Sequence, residues 1–275
     1  MFNFLKFNKK YEPLDYESRK YFEYNLLWLK QEFPEPKIVD RKVLTPTSTD
    51  FPINWNNSTD NAYEALEIIC RNMQIDSNEI ELDFFFTGLV EINMGNSVIF
   101  FESDPQDPKP AGIYHPDKLN GKIQISLDEA LIEEPDSLIA TIAHELAHVK
   151  LLGEKQLEYN DEFLTDFTTV FFGLGIFNAN TAFNFRQNMD GWGYTNAGYL
   201  KIEEWAYGLA LFAFLRFEDT PEWRSYLNKT VKNDFDKCLR YMIENEEEIF
   251  RFDDEENFQA PDLLDTALNV SVDAP

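Results

Sequence analysis

The sequence predicts an α+β fold, mainly helical, with a small mixed β-sheet placed just ahead of a central helix. Three observations carry that prediction. Apolar residues recur at helical intervals along residues 15–33, 62–73, 137–152, 162–177 and 199–217. Between residues 79 and 127 the period falls to two. Directly after those strand-like runs, one helical stretch contains His144-Glu145-Leu146-Ala147-His148, an H-E-x-x-H.

Residues 1–252 read as one domain: N-terminal helices over 1–78, the sheet over 79–127, and a helical metal-site and C-terminal part over 137–248. The first helix, 15–33, turns Tyr21, Leu26 or Leu27, and Leu29 inward and stops at Pro34 and Pro36. A loop rich in Pro, Thr, Ser and Asn runs through residue 58. Asp60 then caps a helix over 62–73 with Ala62, Leu66, Ile69 and Cys70 inward. Strands are expected at 79–86, 97–102, 112–114 and 122–126, the last two joined by a hairpin-like return across 117–121. The prolines of 103–110 cannot donate to a ladder, which makes that insertion a loop.

The H-E-x-x-H helix should start near Ser137 and stop at Gly153, with a further helix capped by Asn160 or Asp161. Residues 167–177 are apolar almost all round, as befits a central, covered helix. The Gly-rich run 190–198 is a lid over a cleft or a turn, and a buried helix follows from Tyr199 or Leu200 to Phe217. Thr220 and Pro221 should open a last long helix reaching about Glu248, and the tail 253–275, acidic and poor in aromatics, is expected to be mobile.

The chemistry begins with helical geometry. Residues four apart stand one above the other, so His144 and His148 present two imidazoles to one point, a metal chelate. Glu145 lies one step round, placed to take a proton from a metal-held water rather than to ligate. A catalytic zinc site needs a third protein ligand. Downstream, Glu162 and Asp166 form an E-x-x-x-D pair on one helix face. A loop of about eight residues spans about 25 Å, enough to bring that helix back. Glu162 is therefore assigned to the metal, and Asp166 to the outer nitrogen of a ligating histidine. Asp161 and Asp166 stand as alternatives for the third ligand. Of the three histidines, the remaining one, His115, belongs to no chelating spacing and reads as a loop residue. Tyr199 and Tyr207 are candidates to donate a hydrogen bond to an oxyanion, and each is equally a candidate core aromatic. An exposed strand edge would pair with an extended peptide, and 112–114 and 122–126 both qualify.

Composition narrows the setting. A chain of 275 residues with 44% hydrophobic side chains can bury a sizeable core. A formal charge of −26, from 50 acids against 24 bases, disfavours nucleic acid and anionic membrane surfaces as partners. Cys70 and Cys238 fit no metal spacing and read as buried thiols in a reducing compartment. With no secretory-type opening and no apolar run of about eighteen residues, a cytoplasmic location is expected.

His144-Glu-Leu-Ala-His148 followed by Glu162-Phe-Leu-Thr-Asp166 resembles the gluzincin group of zinc metallopeptidases, the thermolysin-like enzymes. The resemblance is specific over residues 137–175, with an interval closer to compact zincins such as the repressor-cleaving metallopeptidases. The phrases at 171–180 and 198–207 are similar to those of bacterial zincin-like proteins of unassigned function. The resemblance implies a zincin-like domain, zinc (Zn2+) held by His144, His148 and Glu162, Glu145 as general base, Asp166 orienting an imidazole, and a peptide or protein substrate. Two functions are compatible with these residues: a zinc-dependent metallopeptidase, or a catalytically inactive zincin-like protein that binds zinc as a regulatory or binding module.

Overall fold

The computed structural model describes residues 11–86, 89–93, 98–102, 110–188 and 200–252, without the side chains of 89–93, 98–102 and 183–188. The Gly-rich run, Tyr199, most of the proline-rich insertion and the acidic tail lie outside the described residues.

The architecture is α+β. Helices α1 (Tyr16–Glu32) and α2 (Thr59–Met73) precede strands β1 (Ile80–Phe85), β2 (Leu89–Asn93), β3 (Val98–Glu102), β4 (Gly112–Leu119) and β5 (Lys122–Asp128). Helices α3 (Pro135–His148), α4 (Glu162–Phe171), α5 (Gly175–Asn188), α6 (Ile202–Leu215) and α7 (Lys229–Glu244) complete the fold. β1, β5 and β4 form a mixed sheet in that order, β1 parallel and β4 antiparallel to β5, while β2 and β3 pair separately. Of the two expected edge candidates, 122–126 is the central strand, covered on both sides. Residues 112–114 lie at the edge.

Local chemistry explains most boundaries. Asp15 caps α1 by accepting from Ser18 N–H at 3.0 Å, and Asp161 caps α4 by accepting from Leu164 N–H at 3.1 Å. Pro135 opens α3 at a position where a missing N–H costs nothing. α2 buries Ala62, Ala65, Leu66, Ile69, Cys70 and Met73, one stripe at helical spacing. Asn120 and Gly121, with φ of 53° and 82°, make the tight turn between β4 and β5. α3 packs against α2, α4, α5 and the sheet, so the helix with the paired histidines is central. Both cysteines are buried free thiols.

Several boundaries differ from the sequence reading. Ser58, not Asp60, is the cap residue of α2. Gly153 does not stop the α3 helix: the chain continues through a wider π turn over Val149–Glu154, and the left-handed residue is Gln156 at φ 53°. Lys150, buried against Phe33 and Phe172 and paired to Glu154 at 2.6 Å, holds that turn down. The apolar run 167–177 is two helices broken at Gly173, whose φ is 77°. A Cβ there would stand 2.2 Å from Lys42 O, while the Gly173 carbonyl accepts from Leu44 N–H at 2.8 Å. Thr220 and Pro221 lead into a short turn at Glu222–Tyr226, and α7 starts afresh at Asn228, whose side chain accepts from Val231 N–H. β2 was not expected at all. His115 stands on β4 rather than in a loop.

Candidate metal centre

α3 supplies two imidazoles and α4 returns the carboxylate. His144 and His148 meet edge to face, their ring centroids 4.9 Å apart, as four-residue spacing on a helix requires. Glu162, the first residue of α4, puts Oε2 at 3.2 Å from His144 Nε2 and 3.6 Å from His148 Nε2. Ligand atoms from these three residues all lie within 4.8 Å of one another, and among the described residues this is the one metal-capable cluster.

The donor set fits a divalent cation. Bonds of about 2.05 Å in a tetrahedron put neighbouring ligand atoms about 3.3 Å apart, which the carboxylate-to-imidazole separations match. Glu162 Oε2 is buried and receives no hydrogen bond from either ring despite its closeness. A buried acceptor in that condition needs a partner. The other oxygen, Oε1, accepts from Asn160 Nδ2 at 2.6 Å, which leaves Oε2 the free atom.

Each ring is held from behind. His144 Nδ1 lies 2.8 Å from Asp166 Oδ1, and Asp166 Oδ2 accepts from Leu200 N–H at 3.2 Å. With Nδ1–H donated to Asp166, His144 presents Nε2 as its lone-pair atom. His148 Nδ1 lies 3.5 Å from Thr165 Oγ1, whose own hydrogen goes to the Asp161 carbonyl at 2.9 Å. Tyr114 stacks on the His148 ring, 5.9 Å between centroids and 22° from parallel.

Glu145 is buried beside β4. A Cβ on Gly112 would lie 2.6 Å from Glu145 Oε1, so only glycine lets the strand approach the carboxylate this closely. Burial above all, then the charge of Glu162, lifts the Glu145 pKa to about 7 against the pull of His144 and the Tyr114 N–H. Burial works against a charged His144 ring, but the carboxylates of Asp166 and Glu162 outweigh it and lift its pKa to about 10. Burial and the neighbouring His144 charge push His148 down. Glu162 is lowered despite its burial, by the two imidazoles. Without metal, a proton on His144 offsets part of the charge of the carboxylates beside it, and a divalent cation would take its place.

The cluster opens into a cleft of about 450 Å³, lined on one side by the β4 edge from Gly112 to Tyr114 and on the other by α5 and α6. His144, Glu145, His148, Glu162 and Asp166 thus converge as their spacing implied. Tyr207 does not join them; it is buried, and its hydroxyl donates to Glu23 Oε1 at 3.1 Å. His115 Nε2 pairs with Ser126 Oγ at 2.9 Å, away from the cluster. Sequence reasoning missed Thr165, and it named Asn160 only as a candidate cap and Gly112 and Tyr114 only as part of a candidate edge strand. Among the described residues, no helix is long and apolar enough to cross a membrane. Comparison with protein-family models, curated proteins and solved structures finds no match to this chain.

Proposed function

We propose that this chain is a zinc-dependent metallopeptidase of the zincin type, hydrolysing a peptide bond in a peptide or protein substrate. The observation that supports the reading most is the meeting of His144 Nε2, His148 Nε2 and Glu162 Oε2 in a cleft that also holds Glu145 and the β4 residues Gly112 to Tyr114, at the edge of the described sheet. His144, His148 and Glu162 would hold the ion. Zinc, when bound, supplies Lewis acidity and brings the pKa of a water toward neutrality.

The remaining steps belong to the chain. Glu145, with its pKa lifted to about 7, accepts a proton at its carboxylate and hands it to the leaving amine, work that favours a pKa near the operating pH. Asp166 keeps the His144 tautomer fixed by holding Nδ1–H. The β4 edge pairs with an extended substrate by main-chain hydrogen bonds and brings its carbonyl to the cluster.

Elemental analysis with a peptide-library digest tests the proposal. Wild type should carry one zinc per chain. Glu145→Gln should keep the zinc and lose about 10²- to 10⁴-fold in hydrolysis. Full hydrolysis by Glu145→Gln would refute the role of Glu145. Iron in place of zinc would redirect the chemistry, since two histidines and one carboxylate also suit ferrous oxygenases.

A further inference from the structure

Of the three residues that could hold a metal, Glu162 has the most freedom to miss it. The histidines are rigid rings on the central helix, whereas Glu162 is a long side chain at the first position of α4, 22% exposed. What holds it lies just outside that helix. Asp161 takes the cap: its Oδ1 accepts from Leu164 N–H at 3.1 Å, and its Oδ2 accepts from Tyr21 O–H of α1 at 2.8 Å. Asn160, whose type and place also suit a cap, is thereby left free of that work, and its Nδ2 donates to Glu162 Oε1 at 2.6 Å. The partner sets the orientation of the amide, since an amide oxygen has no proton to offer a carboxylate. Side chains two residues apart do not face each other on a regular helix. These two meet because Asn160 precedes the cap, where the backbone is extended, with Asp161 at φ −107° and ψ 102°.

An asparagine on an exposed loop is ordinarily a solvated group, and a bond to its neighbour there contributes little. Here the bond falls on one oxygen of a carboxylate whose other oxygen, Oε2, is buried without a hydrogen bond, 3.2 and 3.6 Å from the two Nε2 atoms. We propose that Asn160 is a positioning residue for the metal centre: by holding Oε1 it fixes the rotation and reach of the Glu162 carboxylate, so that Oε2 is the oxygen turned toward the imidazoles. The inference rests on Glu162 being a metal ligand, and it adds a residue that itself touches no ion. Without the amide, either oxygen could turn inward and the side chain could swing out to solvent. Ordering it would then be added to the cost of binding the metal. The link from Tyr21 through Asp161 carries this support back to α1, because the turn that presents Asn160 is tied there as well as to α4.

Metal affinity of the full chain tests it, measured with zinc in competition against chelators of known affinity. Asn160→Leu keeps a similar shape and loses the donor. It should weaken zinc binding by about tenfold, the lower end of what groups behind metal ligands contribute, while the metal-free variant melts with metal-free wild type. Cobalt in place of zinc reports the donor atoms through its visible bands, and at saturation these should differ between wild type and Asn160→Leu. The same substitution made on top of Glu162→Ala should change neither the weak affinity left to the two histidines nor the cobalt spectrum, because no carboxylate remains to be held. Equal affinities or equal spectra for wild type and Asn160→Leu would overturn the proposal and leave the metal centre standing. A loss of the same size in the Glu162→Ala background would overturn it too, since Asn160 would then act through something other than Glu162. Wild type that takes up no stoichiometric zinc or cobalt would overturn the metal-centre reading and this role with it.

Discussion

Two of the polar clusters in this protein are completed differently. Around Glu23 of α1, every carboxylate oxygen is used: Oε2 accepts from Lys20 Nζ at 2.6 Å and Phe250 N–H at 2.8 Å, and Oε1 from Tyr207 O–H at 3.1 Å. Lys20 also donates to the Glu248 carbonyl, so the cluster ties residues 248–250 to α1 and α6. Around Glu162, one oxygen is held by Asn160 and the other is buried without a hydrogen bond, beside two imidazoles that face it. A carboxylate whose partners are all protein groups is a fastening. One whose buried oxygen lacks a partner is waiting for something from outside.

The sharpest way to break that comparison is to remove each acid in turn. Glu23→Ala strips the buried Lys20 of its counter-ion, leaving it the Glu248 carbonyl, and should cost about 3–5 kcal/mol in a urea melt, with metal content unchanged. Glu162→Ala should abolish stoichiometric metal while the metal-free protein melts close to metal-free wild type. If Glu162→Ala unfolded the chain and Glu23→Ala emptied the metal, the two roles would have to be exchanged.

Glu145 sharpens the comparison from the side of charge. Its pKa is raised from 4.5 to about 7, burial being the main cause. Between those values the folded metal-free protein holds a proton that the unfolded chain has released. Its stability therefore falls as pH rises through that window and levels off above it. Glutamine has no proton to lose. Metal-free Glu145→Gln should be the more stable protein at pH 8, by about 2–3 kcal/mol, with the gain shrinking to nothing near pH 4. Thermal melts in chelator at both pH values check this, and a gain equal at the two would remove burial of charge as the explanation.

What could be read from the sequence was what depends on neighbours a few residues away. The spacing of His144 and His148, the pair Glu162 and Asp166, and a cap at Asn160 or Asp161 follow from helical geometry alone. What could not be read depends on chain segments that arrive from far off. Nothing near Gly173 signals a break, because the requirement for glycine comes from Lys42 and Leu44 packing against it. Gly112 reads as an ordinary strand residue until Glu145 stands against it. Which strand forms the edge is decided by β1 pairing parallel to β5, a choice that no local pattern contains.

The smallest effects concern the two groups behind the imidazoles, and they should be unequal. Asp166 lies 2.8 Å from His144 Nδ1, a short contact to a carboxylate, whereas Thr165 lies 3.5 Å from His148 Nδ1, at the outer limit of a hydrogen bond. Asp166→Asn removes the charge that polarises the ring and should weaken metal affinity by about 10- to 100-fold. Thr165→Val keeps the shape, forfeits a marginal contact and should cost only about two- to threefold, since a weak neutral hydrogen bond contributes about 0.5 kcal/mol. Competition against a chelator of known affinity measures both. Asp166 also receives Leu200 N–H, so a melt of metal-free Asp166→Asn separates loss of fold from loss of tautomer control. Equal losses in the two variants would mean that the rings are positioned by packing, with Tyr114 against His148 the first contact to suspect.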